Sequence, residues 1–184
     1  MERIEVDAFN GTSLTGALLL PEGLKYVAGF SGTKITNVHF PSTLQVIGDI
    51  AFANCSSLIT EILLPESLQT FQYRAFKNAS ITGKLVLPKS LITIGPEAFA
   101  NCENLTGSLI IPDSITEISA SAYTGTFGGC GFNGVLILPK GLRKIGDYAF
   151  NGNNFKGELN IPDTVTEIGR NAFSYNSFNG FITS

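Results

Sequence analysis

The sequence predicts a repeat solenoid, mainly β, of about eight coils of 23–24 residues with short parallel strands and few or no long helices. Three observations carry this. Prolines fall at Pro21, Pro41, Pro65, Pro88, Pro112, Pro139 and Pro162, in steps of 20, 24, 23, 24, 27 and 23 residues. Ala-Phe or Ala-Tyr recurs in step with them, at Ala8-Phe9, Ala51-Phe52, Ala75-Phe76, Ala98-Phe99, Ala122-Tyr123, Ala149-Phe150 and Ala172-Phe173. The segment before each proline alternates in the strand manner, and no segment sustains a helical apolar period for three turns.

Each piece of the repeat has a physical role. In Leu85-Val86-Leu87, Leu109-Ile110-Ile111, Leu136-Ile137-Leu138 and Leu159-Asn160-Ile161, the outer two residues point inward and the middle one outward. Proline ends that strand because it has no N–H to donate to a ladder. A second short extended piece, S-L-x-x-I, turns its aliphatic residues to the same interior. Gly48, Gly95, Gly146 and Gly169 are expected to relieve a turn that needs unusual dihedrals. Ala-Phe then supplies a small and a large filler per coil, and stacked Phe rings form a spine. The coil from Pro21 is short and keeps only Gly29-Phe30 near that place. The coil from Pro112 carries a Gly-rich insertion over residues 122–133, most simply a tolerated change of length. Both ends of the chain fall within a coil and neither is a polar cap, so residues 1–184 are expected to be one solenoid domain, a segment of a longer array.

Composition excludes several function classes. A net charge of −3 and a pI near 5.1 offer no basic surface for nucleic acid. No apolar run reaches the ~18 residues of a membrane span, and the N-terminus has no signal-peptide h-region. A catalytic triad needs a positioned base, and the single histidine, His39, sits on a strand face of the irregular coil. Three dispersed cysteines and one His do not make a zinc site, and no phosphate-binding glycine motif occurs. The reading is a non-enzyme without metal or cofactor.

The motif P-x-S-[LIV]-x-x-I-G-x-x-A-F-x-x-C-x-x-L-x-G-x-L-x-[LI] resembles the BspA-like leucine-rich repeats of bacterial and protist surface proteins. The match is strong from Pro41 to Ile111 and from Pro139 to Ser184; the coil from Pro112 departs from it at Ser119 and Tyr123. The resemblance implies a curved right-handed coil, an extracellular or cell-surface location, and adhesion to proteins or cells without catalytic residues.

Stacked coils place equivalent residues about 4.8 Å apart, so columns across repeats are informative. The position after each proline reads Glu22, Ser42, Glu66, Lys89, Asp113, Lys140, Asp163, alternating in sign from Glu66 onward. A second column reads Glu117, Lys144, Glu167. Both are expected to be cross-strand pairs that fix register. Cys55, Cys102 and Cys130 share one small buried position with Ala79, Asn153 and Asn176 and are expected to be inert thiols; Cys102 and Cys130, in adjacent coils, come near bridging distance. Of four sequons, at Asn10, Asn54, Asn78 and Asn104, the one at Asn54 is expected in a packed turn.

The outward strand column contains Leu63, Val86, Ile110 and Ile137, where polar residues are usual. Such a stripe marks an interaction face, although β-propensity alone also favours branched residues there. Glu61, Lys84 and Glu158 give it a polar rim. The expected function is a binding module recognising a protein or glycan through the curved sheet face. The alternative is a structural spacer with no ligand of its own.

Overall fold

A computed structural model describes residues 1–183 as a β-solenoid of about eight coils with no helix. Strands are numbered in chain order and form two series. The S-L-x-x-I segments give β1 (Arg3–Ile4), β3 (Tyr26–Val27), β5 (Val46–Ile47), β6 (Thr70–Phe71), β7 (Thr93–Ile94), β9 (Glu117–Ile118), β11 (Lys144–Ile145) and β13 (Glu167–Ile168). All pair in parallel as β1-β3-β5-β6-β7 and β9-β11-β13, with equivalent residues in register. The pre-proline segments give β2 (Thr15–Leu19), β4 (Lys34–His39), β8 (Leu109–Ile110), β10 (Leu136–Ile137), β12 (Lys156–Ile161) and β14 (Ser177–Thr183). These form only separate parallel pairs, β2-β4, β8-β10 and β12-β14. Residues 62–64 and 85–87 therefore do not form the strands that their alternation predicts, although Leu85 and Leu87 are buried and Val86 is exposed as expected. Side-chain pattern sets the facing of a segment, while ladder pairing also requires the coils to be one strand spacing apart.

The core is a spine of eight stacked rings: Phe9, Phe30, Phe52, Phe76, Phe99, Phe127, Phe150 and Phe173. Neighbouring centroids lie 5.0–5.7 Å apart and planes differ by 16° at most. Phe30 keeps the spine through the short coil. In the coil from Pro112 the ring is Phe127, not Tyr123, which is 80% exposed. Phe99 N–H donates to Thr126 O, and Phe127 N–H to Ala149 O, so Thr126-Phe127 occupies the Ala-Phe position. The extra residues bulge ahead of the ring because the rings must remain in stacking contact.

Gly48, Gly95, Gly146 and Gly169 have ordinary φ values, which corrects the expected dihedral role. Close approach selects them instead: a Cβ would lie 2.2 Å from Tyr26 Oη at Gly48 and 2.3 Å from Ala120 N at Gly146. Two left-handed positions are held by residues other than glycine. One is the residue before Ala-Phe, as at Ile50, Arg74, Glu97 and Tyr148; the other is an Asn column, Asn54, Asn78 and Asn101. Asn tolerates this conformation best among residues with a Cβ. Here its amides also stack, Asn78 donating to Asn54 at 2.8 Å and Asn101 to Asn78 at 3.0 Å. Asn54 is thus exposed and engaged in this ladder rather than packed.

The cysteines are free and buried. Each thiol donates to the Phe carbonyl one coil back: Cys55 to Phe30, Cys102 to Phe76 and Cys130 to Phe99, at 3.0–3.2 Å. Asn153 and Asn176 donate from the same column to Phe127 and Phe150 at 2.9 Å. The position therefore takes a small side chain, and a donor in every coil but that of Ala79. Burial pushes all three thiols up, Cys130 to about 12, which keeps them protonated and inert.

Candidate partner-binding face

The pre-proline segments open with a glycine in the left-handed region, Gly83 at φ 76° and Gly107 at φ 78°. At the same repeat position of β12 the register slips between Gly157 and Glu158, in the manner of a bulge. After this point the coils separate. Thr106 N–H donates to Gly83 O at 2.8 Å, but no main-chain bond joins residues 84–89 to 108–113. Contact resumes where the Ser114 hydroxyl donates to Leu91 O.

The opening is a groove of about 600 Å³ lined by the 84–87 and 110–114 segments with Lys89 and Ser108. A second, of about 690 Å³, lies between Val135–Leu138 on one side and Glu158, Asn160 and Pro162 on the other. The outward column stands on this face, with Leu63 80%, Val86 69%, Ile110 57% and Ile137 47% exposed. Val86, Ile110 and Lys84 line the first groove, and Ile137 and Glu158 the second. Leu63 and Glu61 line neither; the Glu61 stem lies against Gly83. Lys84 likewise lies over Gly107, 3.3 Å from where a Cβ would be. Ser108, outward in the alternation, accepts the Val135 N–H at 3.1 Å and is structural.

Sequence reasoning missed that this face is split. It expected a sheet face, whereas the longest ladder runs through the other strand series. It also missed Leu85, Leu87 and Ile111 as the groove floor, because their alternation marks them only as core. The post-proline charges form no ion pair among the described residues; Glu22 instead accepts from Ser42 N–H and Oγ at 3.0 and 2.9 Å. Lys89 and Asp113 both line the first groove and make no ion pair with each other. In the second column, on a paired ladder, Lys144 meets Glu167 at 3.2 Å, and Glu117 only shares its register.

A second polar cluster escaped notice. The Glu97 carboxylate is buried, and it accepts from Arg74 Nε at 2.8 Å, from Lys77 Nζ and from the Ser121 hydroxyl. Burial raises its pKa, but the bonds from Lys77, Ser121 and Arg74 outweigh that and hold it at about 2. The signal was available as a column: Arg74 and Glu97 occupy the same repeat position in adjacent coils. Ser121 immediately precedes the inserted residues, so the cluster pins the start of the bulge to the preceding coil. Its polar atoms are turned toward one another, which makes it a structural lock.

His39 is exposed at the end of β4. Among the described residues no group of His, Cys, Asp or Glu converges as a metal site, and no helix is long and apolar enough to cross a membrane.

The BspA-type leucine-rich repeat region model matches residues 26–128 and 123–183, in six copies. The chain belongs to this family. No curated protein matches it. A leucine-rich repeat protein from Bacteroides ovatus is similar at 25% identity and TM-score 0.66, over 91% of this chain and 49% of that one. The chain thus spans about half the length of that protein. A leucine-rich repeat protein of T. pallidum shares the fold at 23% identity and TM-score 0.62, over 81% of this chain and 70% of that one. The repeats conserve the spine and its glycine contacts, which are fold chemistry.

Proposed function

We propose that the chain is a non-enzymatic binding module of a cell-surface or secreted protein. It recognises a protein or glycan partner through the stripe of Leu63, Val86, Ile110 and Ile137, with Glu61, Lys84 and Glu158 as rim. One observation supports this above the others: four consecutive coils present a branched or long aliphatic side chain that is about half to four-fifths exposed. Packing within the solenoid does not account for that exposure, because the inward neighbours Leu85, Leu109 and Leu136 already fill the core. A row of exposed apolar groups with polar neighbours is the composition of an interaction patch. Family membership supports the same reading, since solenoids recognise partners through large preformed surfaces.

The test is retention of the immobilised protein on protein arrays and glycan arrays, comparing wild type with V86K/I110K. Both substituted side chains are exposed, so the double variant should melt within a few degrees of wild type. Its specific array signals should fall at least tenfold. Equal signals for both proteins, or none for either, would reject the stripe as a binding face and leave the spacer reading.

A further inference from the structure

The first groove is bounded by two strand-like edges whose main-chain groups have no partner across it. Leu109 and Ile111 donate to Val135 O and Ile137 O, each at 3.0 Å. Alternation along a strand then turns the Ile110 N–H the opposite way, into the groove. At the matching repeat positions one coil earlier, Leu85 and Leu87 would donate to Ser108 O and Ile110 O. Neither amide makes that bond, or any other main-chain bond. Unpaired N–H and C=O groups on a strand edge are a template for another strand, and here two such edges run in the same direction with a gap between them.

The dimensions and the lining agree on what fits. The gap extends along residues 84–89, about 20 Å of extended chain, which accommodates five or six residues. Its volume of about 600 Å³ suits a short segment. Buried Leu85, Leu87 and Ile111 form the floor, and exposed Val86 and Ile110 flank the mouth. No aromatic ring lines the groove, so it lacks the stacking platform on which sugar rings are held, and the unpaired groups along its length are those of a peptide backbone. Lys84 stands at the end where a parallel strand would enter, with no carboxylate among the lining residues there; Lys89 and Asp113 line the far end.

We infer that the groove between residues 84–89 and 108–114 takes an extended peptide segment of a partner protein as an added parallel strand, with an acidic residue at the Lys84 end and alternating β-branched residues along it. This deepens the binding reading and rests on it. The added strand would accept from Leu85 and Leu87 N–H on one wall and bond Ile110 N–H and Ser108 O on the other. Strand addition of this kind draws affinity from main-chain bonds and specificity from alternate side chains.

The test uses a panel of acetylated, amidated hexapeptides with Asp or Glu first and Val, Ile and Thr alternating after it, each matched by a version N-methylated at alternate amides. Binding is measured by titration and by amide hydrogen exchange on the whole protein. The expected result is that panel members slow exchange at Leu85, Leu87 and Ile110, and that N-methylation weakens binding roughly tenfold or more. K84E should weaken acidic-first peptides and leave Lys-first controls unaffected or improved. Equal binding of N-methylated peptides would overturn strand addition while sparing an apolar binding face. Failure of the whole panel to bind would overturn the inference even if the arrays show V86K/I110K-sensitive protein partners. Sensitivity on glycan arrays alone would replace the peptide with a carbohydrate.

Discussion

Glu97 sits at φ 56° with its carboxylate buried against Arg74, Lys77 and Ser121. A left-handed Glu is uncommon; the repeat imposes this conformation on the residue before Ala-Phe in coil after coil, and here the three donors satisfy the side chain it carries. Its folded pKa of about 2 lies below the ordinary 4.5. The unfolded chain therefore binds the proton more readily. The stabilisation is complete above about pH 4.5 and is lost as pH falls toward 2. We predict that E97Q destabilises the protein by on the order of 1–3 kcal/mol at pH 7, because Arg74 and Lys77 lose their counter-charge. The gap from wild type should shrink between pH 5 and pH 2 in urea titrations. A gap constant with pH would mean that the carboxylate contributes no charge-dependent stability. The glycines teach a related lesson at this scale. Their column is plain in the sequence, but its cause, a neighbouring coil at contact distance, is a property of the stack.

At the scale of the element, the unit of stability is the coil with its ring. The insertion tested how the register is kept. Local spelling favours Ala122-Tyr123, which matches the motif; the structure uses Thr126-Phe127. Stacking decides this, because a buried ring flanked by rings on both sides gains more than a phenol whose hydroxyl needs a partner. We predict that F127A costs about 3–5 kcal/mol and that Y123A stays within about 0.5 kcal/mol of wild type, both from chemical denaturation. Equal costs would return Tyr123 to the spine. The donors to the Phe carbonyls were half legible: the small size of the cysteine position was readable, but the acceptor that makes Cys and Asn interchangeable belongs to the preceding coil.

At the scale of the molecule, the two strand series differ in continuity, and amide exchange should report it. Thr93 and Gly95 donate to the preceding coil at 3.1 and 2.8 Å, whereas Leu85 and Leu87 donate to no main-chain acceptor. In the free protein the first pair should exchange roughly a hundredfold or more slowly than the second. Similar protection for all four would mean that the grooved face is closed in solution. The charge columns were legible as columns, but which members pair was not: Lys144 meets Glu167 on a paired ladder, while Lys89 and Asp113 line the groove without pairing.

By itself the sequence determined the solenoid, the coil length, the inward and outward faces and the Phe spine. Each of these follows from periods of two and of about 23 residues written in side-chain type. Only the tertiary structure decided which coils pair along the pre-proline face and which part to leave a groove. Hydrogen bonds between coils are made by backbone groups that are the same in every residue, so their presence depends on the distance between coils. Val86 and Ile110 are outward in the sequence and become the lips of a groove only when that distance is known.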